Sequence, residues 1–335
     1  MKSRSLTAAS LALGAAILTS SLAFADDTVR VMAPTWPGFA PVFVAMDKGY
    51  FKDLGLDVQF TFEDDRSNVL AAMARGDIDV DMRTVGEHQG RPRTPETPGK
   101  IIGTIDKSVG GDGVIAAGSI DTVADLKGKK IAAEPNIPAR LLLQLALKKV
   151  GLKLSDLSIV DIATADTVAV FSDDSIAAVA TYEPFMSQSV KALPNRKPKI
   201  LISSKDSDII VDVITARDAD LDENPEKYAK FLAGIYKAID LYKSNPDEFI
   251  ADAAPHYNLS DAEVKDILDT SLAYTDLAES RTLIGTADKP GTLTGIFDTV
   301  MQLNLENGAA EVELKASEEI DPKPMSMVED GMVKG

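Results

Sequence analysis

The chain has no cysteine among its 335 residues. Disulfides, thiolate nucleophiles and thiolate metal sites are therefore excluded. His88 and His256 are its only histidines. They lie far apart in sequence, and a metal site would need both to converge with carboxylates. Tryptophan occurs once, as Trp36. Positive charge is scarce, with 35 Lys and Arg against 52 Asp and Glu and a formal net charge of −17. Nucleic acid and anionic lipid both require a basic footprint, so neither suits this chain as a partner. The acids are scattered rather than clustered, which reads as a solvated surface. Beyond the N-terminus no stretch is apolar enough to cross a bilayer. A Gly-x-Ser-x-Gly elbow, a Walker loop and a dinucleotide fingerprint are all missing. No covalent chemistry is visible.

What is present begins with an address. Lys2 and Arg4 are followed by an apolar stretch over residues 6–18 and then by Ala23-Phe24-Ala25. That order of basic, apolar and small residues predicts a secretory leader over residues 1–25, cleaved ahead of Asp26. No cysteine stands at the cleavage point, so a lipid-tethered form is not expected. The body that follows is long enough for two lobes with sizeable cores, which an exported chain without disulfides needs.

Short apolar runs alternate with helical patterns through that body. Strands are predicted over residues 29–32, 56–62, 80–82, 101–105 and 114–117. A second series falls at 131–133, 157–160, 177–180 and 200–202. Helices are predicted over 41–48 and 68–75, the latter ended by Gly76. Another carries Leu141, Leu142, Leu145 and Val150 on one face, with Gly151 as its left-handed cap and Leu152 behind. Alternation of this kind predicts an α/β fold with parallel sheets covered by helices on both faces. The last third is mostly helical. Asn224-Pro225 opens a helix whose stripe Tyr228, Phe231, Leu232, Ile235, Ile239 and Tyr242 is core packing. Residues 254–258 read as a break between helices, and the tail after Leu314 as a wrapping or loose end.

Several motifs recur in a recognisable order. They are Thr35-Trp36-Pro37-Gly38-Phe39-Ala40-Pro41, Met46-Asp47-Lys48-Gly49-Tyr50-Phe51, Gly76-Asp77-Ile78-Asp79, the segment from Asp106 to Gly113, Asp125-Leu126-Lys127-Gly128-Lys129 and Thr181-Tyr182-Glu183-Pro184. Together they resemble solute-binding proteins of the nitrate, sulfonate and taurine type. Those are periplasmic receptors of ABC importers, related to thiamin-pyrimidine-precursor binders. The resemblance implies a two-lobed periplasmic-binding-protein fold of type II with a ligand cleft between the lobes. It implies that the chain crosses to the second lobe once and returns. The expected division is lobe one over residues 26–117, lobe two over 118–213, and lobe one again, with C-terminal helices and tail, over 214–335. Crossings are expected near residues 117–119 and 212–216. Residues 83–95 and 134–140 depart from the family as polar, Pro-rich loops where strand ends face the cleft.

Ligands of open α/β sheets sit beyond the carboxyl ends of the strands. Trp36 follows the first strand and offers apolar area and a face for a cation, unless it is simply core. Gly110-Gly111-Asp112-Gly113 is either a plain turn or a place where free N–H groups meet an oxyanion. The resemblance nominates Ser108 and Asp112 there as polar contacts. Asn136 is expected to cap the following helix, making an anion site to which Arg140 adds a charged fork, unless Arg140 is solvated. Tyr182-Glu183 is expected to enter the cleft from lobe two, and Asp212 to stand at the return crossing. Asp112, Glu183 and Asp212 favour a positively charged ligand. Arg83, Thr84 and Arg140 favour an anionic one. The set suits a zwitterion or a small amine-bearing acid of the taurine kind. The resemblance implies a monomer in the periplasm, without cofactor or metal, partnered by an inner-membrane permease and its cytoplasmic ATPase. An enzyme of thiamin-pyrimidine-synthase-like fold and a ligand-sensing module are the alternatives. The former chemistry uses a Cys-rich segment that this chain lacks.

Overall fold

A computed structural model describes residues 27–90, 92–135 and 137–334. The predicted leader over residues 1–25 and the predicted cap Asn136 lie outside the described residues.

Four strands open the chain: β1 (Asp27–Ala33), β2 (Leu56–Phe62), β3 (Val80–Thr84) and β4 (Lys100–Ser108). Five follow in a second sheet: β5 (Asp112–Ala116), β6 (Lys130–Ala133), β7 (Ser158–Asp161), β8 (Ile176–Tyr182) and β9 (Lys199–Ser203). The chain then returns with β10 (Val211–Ala216) and β11 (Leu272–Tyr274). The first sheet has the order β11-β4-β10-β3-β1-β2 and the second β7-β6-β8-β5-β9. Neither is wholly parallel. β1 pairs in parallel with β2 and β3, but β10 runs antiparallel between β3 and β4. In the second sheet β5 runs antiparallel between β8 and β9. β11 is antiparallel to β4 as well, so the first sheet has two reversed strands, β10 and β11, and the second has one, β5. β5 and β10 are the strands by which the chain arrives in each lobe.

That pairing moves the crossings. Val114 and its neighbours lie in the second sheet, and Asp212 lies in the first. The chain therefore leaves the first sheet at residues 109–111 and returns at residues 204–210. The sequence expectation set each crossing after the arriving strand, because a strand's sheet membership depends on remote partners that local pattern does not reveal.

The second sheet is covered on both faces. Val114, Ala116, Ile131 and Ala133 join Leu143 and Leu147 of the helix Pro138–Lys149 on one side. Ile115, Ala132, Val179, Phe171 and Met186 pack on the other. The alternation follows the pleat. The helix ends as its sequence predicts, with Gly151 at φ +74° and the Leu152 N–H donating to the Leu147 carbonyl at 2.9 Å.

The first lobe holds the larger core. Its spine is the helix Pro225–Ser244, whose Tyr228, Phe231, Leu232, Ile235 and Ile239 are all buried. Each such side chain stabilises the fold by roughly 1.5–3 kcal/mol. Phe51 stacks on Phe231 with ring centroids 5.4 Å apart, directly over Gly234. A Cβ there would stand 2.4 Å from the Phe51 ring, so the helix needs glycine at that turn.

Two irregular segments differ from expectation, and the tail takes one of its two expected forms. The polar segment expected as a loop over residues 83–95 turns many of its side chains inward: Arg83, Thr84, Glu87, His88, Gln89 and Arg93 are all buried. A short helix, Val85–Gln89, opens there with a capping box between Thr84 and Glu87. Pro255 sits inside the helix Pro246–Tyr257, whose end comes three residues later at Asn258, in the left-handed conformation. The tail wraps: Ile320 bridges to Ile101 of β4, and Glu319 is buried against His88 and Arg93. No helix among the described residues is long and apolar enough to cross a membrane.

Candidate functional site

The two sheets face each other across a cavity of about 320 Å³ of empty space, mouth included. Lobe one contributes Pro34, Trp36 and Phe39 from beyond β1, Thr84 and Glu87 from beyond β3, and Asp212 from β10. Lobe two contributes Asp112, Pro138 and Tyr182. Strand ends and one helix start converge there, as expected of α/β crevices.

Trp36 is held in place from several sides. Its backbone is extended, and Pro37 begins the following turn. Tyr257 donates its hydroxyl to the Trp36 carbonyl at 3.0 Å. The indole N–H donates to Asp106 Oδ2 at 3.2 Å. Across the cleft Tyr182 meets the indole edge to face, with centroids 6.4 Å apart. Two glycines make room. A Cβ at Gly111 would lie 2.5 Å from the indole ring, and one at Gly38 would lie 2.1 Å from its nitrogen.

Carboxyl groups dominate the floor. Asp106, Asp112 and Asp212 are all buried. Burial pushes Asp112 up to about 7, against the lowering effect of the Ser108 hydroxyl. Burial also raises Asp106 to about 7 and Asp212 well above the usual carboxylate range, the latter reinforced by the Asp106 charge. Tyr182 is likewise raised by burial and by surrounding carboxylates, so it stays a neutral phenol.

Positive charge is turned elsewhere. Among the described residues, no Lys or Arg lines the cavity. Arg83 donates to Glu87 at 3.0 Å and to the Glu63 and Asp64 carbonyls at 2.7 and 3.2 Å. Arg140 is ion-paired with Asp161 at 2.6 Å, within lobe two, and so is not the charged fork that its sequence position suggested. The helix behind it starts at Pro138 with Ile137 in the cap position and no side-chain cap. The glycine turn is no oxyanion cradle either. Gly110 and Asp112 both donate their N–H groups to Ser204 Oγ, and Gly111 donates to the Ser271 carbonyl.

Of the residues singled out in sequence, Trp36, Thr84, Asp112 and Asp212 line one cavity. Ser108 lies behind it at the crossing, bonded to Ser204 at 2.8 Å. Glu183 turns away from it and accepts from the Ser187 N–H and hydroxyl, because neighbours on a strand end face opposite sides. Asp106, Glu87, Phe39 and Pro138 were missed as site residues. Asp106 had a signal: Thr104, Asp106 and Ser108 alternate as polar residues in a strand that is otherwise Ile-rich. Buried polar residues are the informative ones. Among the described residues no group of three or more His, Cys, Asp or Glu is placed to hold a metal.

The profile of the NMT1/THI5-like family matches residues 36–249. The chain belongs to that family. A protein named as a binding protein in Brucella abortus (strain 2308) is 29% identical over 258 residues, covering 75% of this chain and 77% of its own. The 4-amino-5-hydroxymethyl-2-methylpyrimidine phosphate synthase of Aspergillus parasiticus is 25% identical over 222 residues, covering 63% of this chain and 64% of its own. Among solved structures, the periplasmic aliphatic sulphonate binding protein SsuA from Escherichia coli matches with a TM-score of 0.72 at 19% identity, over 88% of this chain and 92% of that one. The family member thus has the two-lobed α/β fold of periplasmic binding proteins, as the sequence implied.

Proposed function

We propose that this chain is the solute receptor of an ABC importer. It is exported by its leader, captures a small organic solute between its lobes, and delivers it as a monomer to an inner-membrane permease driven by a cytoplasmic ATPase. Its family and the fold it shares with a sulphonate receptor support the class.

The solute carries a cationic or N–H-rich end. One observation supports this: the cavity has two buried aspartates and three aromatic rings, and among the described residues no Lys or Arg in its lining. A sulfonate or nitrate would enter without a counter-charge, at a cost of several kcal/mol for a buried ion. An amine or a protonated nitrogen heterocycle would place its charge at Asp112 and Asp212 and its body against Trp36 and Tyr182. The taurine-like zwitterion expected from sequence loses its support on the anionic side, since Arg83 and Arg140 are engaged elsewhere.

Closure is supported by contacts across the lobes. Leu141 of the lobe-two helix packs in the lobe-one core. Gln144 donates to the Leu303 carbonyl at 3.2 Å, Asn307 donates back to Gln144 at 2.8 Å, and Lys148 pairs with Glu306 at 2.7 Å.

Native mass spectrometry of protein purified without refolding would identify a retained solute. Calorimetry against organic amines, cationic nitrogen heterocycles, taurine, alkylsulfonates and nitrate would test its charge. Binding confined to sulfonates or nitrate would overturn the cationic reading. Release of a chemically altered solute would favour the enzyme reading that the synthase relative keeps in view.

A further inference from the structure

Asp106 of β4 and Asp212 of β10 are direct cross-strand partners, so their side chains leave the sheet on the same face. Both are buried. Asp106 Oδ2 accepts from the Trp36 indole, while Asp106 Oδ1 is buried without a hydrogen-bond partner. The ionisable groups that bear on the pair come from every surrounding element. Glu87 stands on the helix Val85–Gln89 and Asp112 at the start of β5. Tyr257, on the helix Pro246–Tyr257, and Tyr274, on β11, are held as neutral phenols by burial. None of these is a cation, and the guanidinium of Arg83 is engaged by Glu87 and by backbone carbonyls. Two ionised carboxylates side by side, buried and without a counter-ion, cannot both keep their charge.

We propose that Asp106 and Asp212 act as one proton-sharing pair, which makes Asp106, set behind the cavity, a positioning residue that decides the charge its solute carries. This rests on the reading of the cavity as the solute site. In the empty site the Trp36 N–H anchors negative charge on Asp106. The shared proton then sits on Asp212, which donates it to the otherwise unpartnered Oδ1. A cation arriving at Asp212 draws the proton across to Asp106. No proton need leave the protein: one O–H bond breaks on Asp212 as one forms on Asp106, and the single negative charge moves to the cavity wall. An anion receives no such charge rearrangement and meets a negative site.

The pair has a built-in reporter, because Trp36 is the sole tryptophan and donates directly to it. Its fluorescence in the ligand-free full chain, titrated from about pH 5 to 9, is expected to show one transition near neutrality. Asp106→Asn and Asp212→Asn should each move that transition more than about one unit toward acid, since the surviving carboxylate loses its like-charged neighbour and gains an amide donor. Asp112→Asn removes a more distant carboxylate and should move the transition less than either of these variants. In difference infrared spectra near about pH 6, the wild type should carry the carbonyl band of a protonated carboxylic acid. A flat wild-type fluorescence profile, or no such band, would overturn the pair even if neither variant folds. So would a transition unmoved in both D106N and D212N. None of these readouts uses a solute, so a failure of the cationic-solute reading would leave the titration intact.

Discussion

Gly38 stands against the hydrogen bond between Trp36 and Asp106: a Cβ added to it would lie 2.1 Å from the indole nitrogen and 2.2 Å from Asp106 Oδ2. The tightest packing in the cleft is therefore at the joint between its aromatic wall and its charged floor. Gly38→Ala should push the indole off Asp106 and weaken solute binding by about tenfold or more. Calorimetry reads the loss, and far-ultraviolet circular dichroism should be unchanged.

Asp112 links binding to stability. Burial pushes its carboxyl up to about 7 in the fold, against an ordinary value of 3.8. The unfolded chain therefore ionises first as pH rises. The carboxyl's contribution to stability is fully present below about 3.8 and is lost as pH climbs through about 7. Asp112→Asn should stabilise the protein at pH 8 by on the order of 2 kcal/mol, a gain that fades toward pH 4. Urea unfolding at the two pH values measures the difference. The same variant should bind a cationic solute more weakly.

Glu319 behaves in the opposite sense. Its hydrogen bonds and charge interactions with His88 and Arg93 hold it at about 2, despite burial. Its contribution is thus present above the unfolded value of 4.5 and is lost as pH falls through about 2. His88 is pushed down to about 3 by burial and by Arg93, so it stays neutral and adds to acid sensitivity below its usual 6.5. Glu319→Gln should cost about 3 kcal/mol at neutral pH, because it leaves the Arg93 charge buried without its partner. The penalty should shrink on acidification, as followed by thermal melting.

Gln144 reports on closure. It bridges the lobes through both ends of its amide, to Leu303 and to Asn307. Gln144→Ala should favour the open form and raise the dissociation constant about fivefold, with little effect on unfolding. Small-angle scattering with and without solute would show the shift in shape.

Local pattern was a good guide wherever an element is stabilised by its own residues. The expected strand over residues 56–62 matches β2 residue for residue, and the Gly151-Leu152 signal placed a helix end correctly. It failed where a distant partner decides. β10 was not anticipated as a strand, since its pairing with β3 and β4 joins residues more than a hundred positions apart. Residues 83–95 read as a polar loop because the partners of His88 and Arg93, Glu319 above all, come from the far end of the chain. The site was partly legible for the same reason. Trp36 follows a strand and Thr84 ends one, while Asp112 and Asp212 stand at strand starts next to the crossings. The engagement of Arg140 by Asp161, or of the glycine-turn N–H groups by Ser204 and Ser271, depends on side chains that no spacing rule brings together.

The first sheet also sets an order of events. β10 and β11 complete it only after the whole second lobe has been made, and the bridge from Ile101 waits for Ile320. The second sheet draws its strands from one continuous stretch. Lobe two can therefore form early, while lobe one remains unfinished until almost the last residues emerge. For a chain exported by its leader, as proposed here, that delay would leave time for transport before the larger core can lock.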